Sequence, residues 1–404
     1  MNIPHGQFCV LPWISIEASP IGTVRPCCLA DDEILDNEGN KFELSTADFA
    51  GIQNSNHMRR LREQFLAGER PQTCRKCWNE ERGGRVSKRM HTLDRLKHSI
   101  KDTKWTADAK PLMFLDLKLG NICNLKCRIC GSWSSSQFAT EEINQLPREQ
   151  QKSSHAYQML RAGAWPRENA QFWQQIDSVL TYIRYIEFTG GEPFMIDEHF
   201  DMLQGIIDRG IAHQVEIHYN TNGTQYPARG EAIWRHFKTV EVAFSIDDVG
   251  ARFEYQRTNA DWAVVLDNIT NFQYLKTKMP NLQLQCCSTV NVFNVRYIDE
   301  LAHWIALQQF DFVYWNMMHD AWYFSIATLP DSAKAVITEH LRTATVPPEY
   351  REEFDHIVDF MNTGASTDGF ITRMKIADLD RKRNQDLREV APELAEILGY
   401  VKNA

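Results

Sequence analysis

The sequence predicts an α/β protein in which βα units build a parallel sheet, preceded by a cysteine-rich N-terminal segment and followed by helices. From residue 111 onward, short β-rich runs alternate with longer stretches whose apolar residues recur near i, i+3, i+4 spacing. Five of the ten cysteines fall within the first 77 residues. Beyond residue 330 the chain turns polar, with a Val346-Pro347-Pro348 break and a periodic run over 376–398 that reads as helix.

Six strands are expected, at 112–118, 183–189, 215–220, 240–246, 282–290 and 312–316. Their apolar runs suit strands covered on both faces. The intervening segments 200–208, 262–276 and 299–307 read as helices. Residues 134–173, rich in Gln, Glu and Ser, form an insertion-like connection, helical in parts, to which no chemistry attaches. This divides the chain into 1–110, a cysteine-rich domain and linker, 111–330, the βα core, and 331–404, a helical cap. The sequence contains no internal repeat and no low-complexity tract.

A chain of 404 residues with 43% hydrophobic content buries a large core, and its length suggests two or three domains. A formal net charge of -9 argues against a nucleic-acid partner, because nucleic-acid binders generally carry basic patches or stripes. The basic cluster at 82–89 reads as solvated helix. The first nine residues lack a basic region followed by an apolar one, and no run approaches the ~20 apolar residues a bilayer needs. A cytoplasmic protein without a membrane partner is expected. In that compartment cysteines serve metals or catalysis more readily than disulfides.

Cys123, Cys127 and Cys130 stand in the run Cys123-Asn124-Leu125-Lys126-Cys127-Arg128-Ile129-Cys130, a C-x3-C-x2-C spacing. Three thiolates in one short loop leave an iron of a cuboidal cluster open, since such clusters usually take four. The loop resembles the signature of the radical SAM superfamily. The resemblance implies a partial (β/α)6 barrel over about 111–330, a 4Fe-4S cluster with S-adenosylmethionine (SAM) on its open iron, and reductive cleavage of SAM to a 5'-deoxyadenosyl radical. A low-potential donor such as flavodoxin or ferredoxin would supply the electron. Ile129 occupies a position that is often aromatic in the family, and an apolar side chain there can still pack on an adenine face.

The other motif residues lie where predicted strands end, which is where ligands bind in such sheets. Gly190-Gly191-Glu192-Pro193 follows the second strand. Consecutive glycines let a backbone approach a ligand closely, and the turn resembles the family's methionine-binding turn, although alone it suits a structural turn equally. Asn222 ends the third strand and serves either a tight turn or a ligand hydroxyl. Ser245 and Asp247 alternate onto one face of the fourth, and the resemblance assigns them to the SAM ribose. Arg257 resembles the arginine that pairs with the methionine carboxylate, a task suited to a planar fork of donors; the alternative is a surface arginine. Asn291 meets the adenine edge or caps the following helix.

A second set comprises Cys9, Gly22 with Cys27 in a C-x12-G-x4-C spacing, and the pair Cys74-x2-Cys77. It resembles the auxiliary-cluster module of twitch or SPASM radical SAM enzymes, here ahead of the barrel instead of after it. Four thiolates would hold a second 4Fe-4S cluster with no open iron, or equally a tetrahedral zinc. Cys28 is an alternate ligand to Cys27, because neighbours on extended backbone point oppositely and only one of the two should bind.

Substrate expectations centre on 313–323, where Trp315 and Met317 offer aromatic or apolar wall, or plain core, and His319 and Asp320 could handle protons. Cys286 and Cys287 adjoin in the fifth strand, so one thiol points inward. Radical epimerases use such a cysteine as hydrogen donor, whereas a buried free cysteine is often core. The expected function is a radical SAM enzyme acting on a small molecule or sugar by oxidation or epimerisation. Peptide crosslinking or epimerisation is the alternative, and a non-catalytic zinc-binding interaction protein is the alternative of another class.

Overall fold

The computed structural model describes residues 3–82, 86–318 and 321–400. His319 and Asp320 lie outside the described residues. The strands are β1 (Ser15–Ala18), β2 (Val24–Arg25), β3 (Phe114–Lys118), β4 (Tyr185–Thr189), β5 (Glu216–Thr221), β6 (Thr239–Ser245), β7 (Leu282–Val290) and β8 (Phe312–Met317). They form one unclosed sheet in the order β2-β1-β3-β4-β5-β6-β7-β8. β1 lies parallel to β3, β3 to β4, β4 to β5 and β7 to β8, while β1 and β2 are antiparallel.

The six expected strands are β3 to β8. The two additional ones come from the cysteine-rich segment, which contributes to the sheet itself. β1 reads Ser-Ile-Glu-Ala and buries all four residues, Glu17 included. A strand that short with a buried carboxylate has no alternation to recognise.

The chain forms two compact units. The first comprises Met1–Cys123, Ser132–Asn220 and Pro227–Glu241; the second comprises Asn124–Gly131, Thr221–Tyr226 and Val242–Ala404.

In the first unit, register aligns Asp116 with Glu187 and Glu187 with His218, so these charged groups share one sheet face. Alternate residues Leu115, Leu117, Ile186, Phe188, Ile217 and Tyr219 are fully buried. The expectation of two apolar faces therefore holds for only one face of β3 to β5. Residues 134–173 form short helices, among them Ser136–Asn144 and His155–Ala162, capped by the Ser135 and Ser154 side chains. Ala139, Ile143 and Ala156 make a small core there with Tyr157 and Leu160.

In the second unit, β7 alternates buried Leu284, Cys286, Ser288 and Val290 with more open Gln283, Gln285, Cys287 and Thr289. Trp315 packs edge-on against Tyr350 and Phe354, with ring centroids 5.7 and 6.2 Å apart. Met317 ends β8, half-buried. The C-terminal part is helical, as Asp331–Thr343, Arg351–Thr363, Phe370–Arg383, Leu387–Val390 and Pro392–Ile397. The periodic run 376–398 is not one helix, because Asn384 adopts a left-handed conformation (φ 50°) that ends Phe370–Arg383. Among the described residues, no helix is long and apolar enough to cross a membrane.

Candidate metal centres

The first unit gathers Cys9, Cys27, Cys74 and Cys77. Cys9 immediately precedes Val10, the N-cap of the helix Leu11–Ile14, and Cys27 follows β2 by two residues. Cys74 closes the 3-10 turn Gln72–Cys74, and Cys77 lies three residues on, in the helix Arg75–Arg82. That i, i+3 spacing sets two sulfurs on one helical face. All four are free thiols.

Burial, then the charges of Cys74 and Cys27, pushes the Cys9 thiol well up; burial, then Cys27 and Cys77, does the same to Cys74. Burial raises Cys27 to about 11, and it also raises Cys77. Backbone N–H groups of Leu11 and of Leu29 and Ala30 oppose this at Cys9 and Cys27. Three buried sulfurs and one half-buried one, Cys74, with backbone amides aimed at Cys9 and Cys27, make a donor set that a cationic metal cluster satisfies. Gly22, in the middle of the spacing, has φ +84° and would set a Cβ 3.4 Å from the Trp165 ring.

Cys28 is not in this group. Its Sγ accepts from Lys88 Nζ at 2.9 Å, and the same ammonium lies 3.1 Å from Asp116 and 2.6 Å from Glu187. Lys88, Asp116 and Glu187 escaped the sequence reading, since only strand register and a distant helix start bring them together.

Gly190 and Gly191 meet backbone. A Cβ on Gly191 would stand 2.2 Å from the Ile122 carbonyl, and one on Gly190, at φ +114°, would stand 2.8 Å from that of Gly120. Gly191 N donates to Gly120 O at 3.0 Å and Glu192 N to Ile122 O at 2.8 Å. The glycines thus let β4's exit close against the run leading to Cys123. Glu192 is fully buried, and its Oε1 accepts from Phe194 N, capping the 3-10 turn Pro193–Met195. Cys123 is buried, and its N–H and carbonyl both bond Ser136 Oγ at 3.1 Å.

In the second unit, Cys127 and Cys130 adjoin. A side-chain hydrogen bond from Cys130 and burial push the Cys127 thiol well up, opposed by the Arg257 charge. Arg257 Nη1 lies 3.9 Å from Cys127 Sγ, and its Nη2 is 2.6 Å from Asp247 Oδ2. Asp247 Oδ1 accepts from Thr289 N at 2.8 Å. Arg257 is 8% exposed, which disposes of the surface alternative. Ile129 and Ser245 are half-buried.

Asn222 forms a turn, accepting from Thr224 N at 2.9 Å and donating to Asn124 Oδ1 at 3.1 Å. Asn291 is fully buried; its Oδ1 accepts from Phe293 N and its Nδ2 donates to Thr289 O, both at 2.8 Å. Cys286 is fully buried, while burial and the Asp247 charge push Cys287 up to about 12.

Residues 9–78 match the SPASM family, an iron-sulfur cluster-binding domain. The matched segment contains Cys9, Cys27, Cys74 and Cys77. Solved structures that it resembles include native anSMEcpe with bound AdoMet and Cp18Cys peptide, at 14% identity and a TM-score of 0.37, covering 62% of each chain. Another is native anSMEcpe with bound AdoMet, at 14% identity and a TM-score of 0.35, covering 63% of this chain and 62% of that one. TYW1 with a lysine-pyruvate adduct bound resembles it at 10% identity and a TM-score of 0.22, covering 45% of this chain and 54% of that one. The SPASM-bearing chain thus spans less than two thirds of the first of these. No curated protein matches it.

Proposed function

We propose that this chain is an enzyme that cleaves SAM reductively at the Cys123, Cys127 and Cys130 loop and removes a C–H hydrogen from a small polar molecule such as a sugar, ending in oxidation or epimerisation. A 4Fe-4S cluster held by these three thiolates would supply the electron that breaks the sulfonium bond. The observation that carries the reading is Arg257, a buried cation at 3.9 Å from Cys127 and anchored by Asp247 at 2.6 Å. A fixed positive charge there favours thiolate over thiol and steadies the loop for metal.

Cys9, Cys27, Cys74 and Cys77 would hold the second cluster. Of the two adjacent thiols in β7, Cys287 suits a hydrogen donor better, since Cys286 is packed at 0% exposure. A flavodoxin or ferredoxin would deliver the electrons.

Anaerobic reconstitution followed by iron and sulfide analysis tests this. About eight irons and matching sulfide per chain fit two cuboidal clusters, and zinc without sulfide sinks the proposal. With dithionite and SAM the loaded protein should release 5'-deoxyadenosine, and Cys127→Ala should abolish that release. In deuterated buffer, epimerisation places deuterium at the inverted carbon and oxidation places none.

A further inference from the structure

The cysteine loop carries a second buried cation that the reading above leaves idle. Arg128, between Cys127 and Ile129, forms an ion pair with Asp380 of the helix Phe370–Arg383 at 2.6 Å, with both side chains 0% exposed. Its Nη2 also donates to Gln385 Oε1 at 2.9 Å and its Nε to the Tyr255 carbonyl at 2.8 Å. The guanidinium lies over the Tyr255 ring, 3.5 Å from its centroid. Asp380 Oδ1 accepts from Tyr255 Oη at 2.8 Å, and Oδ2 accepts from Leu387 N and Tyr400 Oη, each at 2.9 Å. The loop backbone is fastened as well: Lys126 N donates to Thr258 O at 3.0 Å and Arg128 N to Gln256 O at 2.8 Å.

A fully buried ion pair is a poor device for stability, since desolvation offsets most of the attraction and apolar residues would do as well. Its value lies in fixing a charge at a chosen place. The potential of an iron-sulfur cluster depends on nearby charge, on hydrogen bonds to sulfur and on burial, and groups behind the ligands orient them. Arg128 puts a full positive charge one residue from Cys127 and two from Cys130, in surroundings that screen it little. Asp380 cancels that charge and holds its carrier still.

We propose that Asp380 is a positioning residue for the loop's cluster: through Arg128 it anchors the cysteine run to the C-terminal helices and sets the reduction potential of whatever cluster the run holds. The proposal rests on the radical SAM reading of the loop. A reduced cluster carries one more negative charge than an oxidised one, so a nearby cation raises the potential and a nearby anion lowers it.

The test is a potentiometric titration of the loop cluster, followed by electron paramagnetic resonance, in the full anaerobically loaded chain. Asp380→Asn leaves Arg128 uncompensated and should move the potential positive. Arg128→Gln leaves the carboxylate and should move it negative. The double variant should return close to the parent. Arg128→Gln is the variant expected to keep its fold, because Asp380 retains three donors, and its negative shift alone tests the idea. Single variants that shift in the same direction, or not at all, in a parent that holds the cluster and releases 5'-deoxyadenosine, overturn this inference only. A parent in which Cys127→Ala costs no iron overturns the reading beneath it as well.

Discussion

Arg257 is held to Asp247 by an ion pair of 2.6 Å, with side-chain exposures of only 10% and 1%. That pairing aims the other arm of the guanidinium at Cys127, where a lysine could not make both contacts, because its ammonium has no fork. The two sides of the arginine are thus a charge anchor and a thiolate neighbour.

Replacing Arg257 by Lys should therefore slow 5'-deoxyadenosine release by ~10-fold or more, the loss expected for a charge-assisted hydrogen bond worth about 1.5–3 kcal/mol. Asp247→Asn should lower iron retention at the loop by unpairing a buried cation. Product chromatography and iron analysis on the same preparations check both, and a variant equal to the parent in each would remove Arg257 from the site.

Cys27 and Cys28 should separate cleanly. Cys27→Ser is expected to lose about four irons per chain, one cuboidal cluster, while Cys28→Ser retains them, because Cys28 faces Lys88 at 2.9 Å and not the four-thiol group. Iron and sulfide counts after reconstitution decide it. Equal losses in both variants would mean that Cys28 is needed for the cluster as well.

Lys88 lies 3.1 Å from Asp116 and 2.6 Å from Glu187, with 17% side-chain exposure. Lys88→Met leaves two facing carboxyls without their cation and should destabilise the fold by ~3–5 kcal/mol, the usual cost of breaking a buried pair from one side. Adding Glu187→Gln should recover part of that loss. Urea unfolding of the three proteins measures it, and an unchanged midpoint in Lys88→Met would contradict the arrangement.

His199 predicts an acid limb. Burial lowers it from 6.5 to about 3, and its ring nitrogens are engaged by the Ile196 carbonyl and the Tyr219 hydroxyl. The unfolded chain then binds the proton more readily, so this stability is complete above pH ~6.5 and drains as pH falls toward 3, at roughly 1.4 kcal/mol per unit. Unfolding midpoints of the parent should drop between pH 6.5 and 4.5 more steeply than those of His199→Asn. Parallel slopes would exclude His199 as the source.

Much of the sheet was legible because β3 to β8 carry apolar or β-branched residues at strand spacing and are bounded by turn residues. β1 and β2 were illegible for the opposite reason: four residues containing Glu17, and two residues containing Arg25, make sense only once Glu17 pairs with Arg25 at 2.9 Å. Asn222 and Asn291 show a different limit. Their position after strands suggested a ligand contact, or a turn at Asn222 and a helix cap at Asn291, and only the structure supplies the local bonds from Thr224 N and Phe293 N. Asparagine at a strand end serves both purposes with the same atoms.

Covalent spacing places some thiols together by itself: Cys127 and Cys130 lie three residues apart in one loop, and Cys74 and Cys77 are neighbours at a helix start for the same reason. Charge is different. Which cation faces which thiol, Arg257 toward Cys127 and Lys88 toward Cys28, or which anion holds Arg128 in place, depends on groups 60 to 252 residues apart along the chain. Only packing brings such groups within a few ångströms, and only at that range does a charge act strongly enough to select a partner.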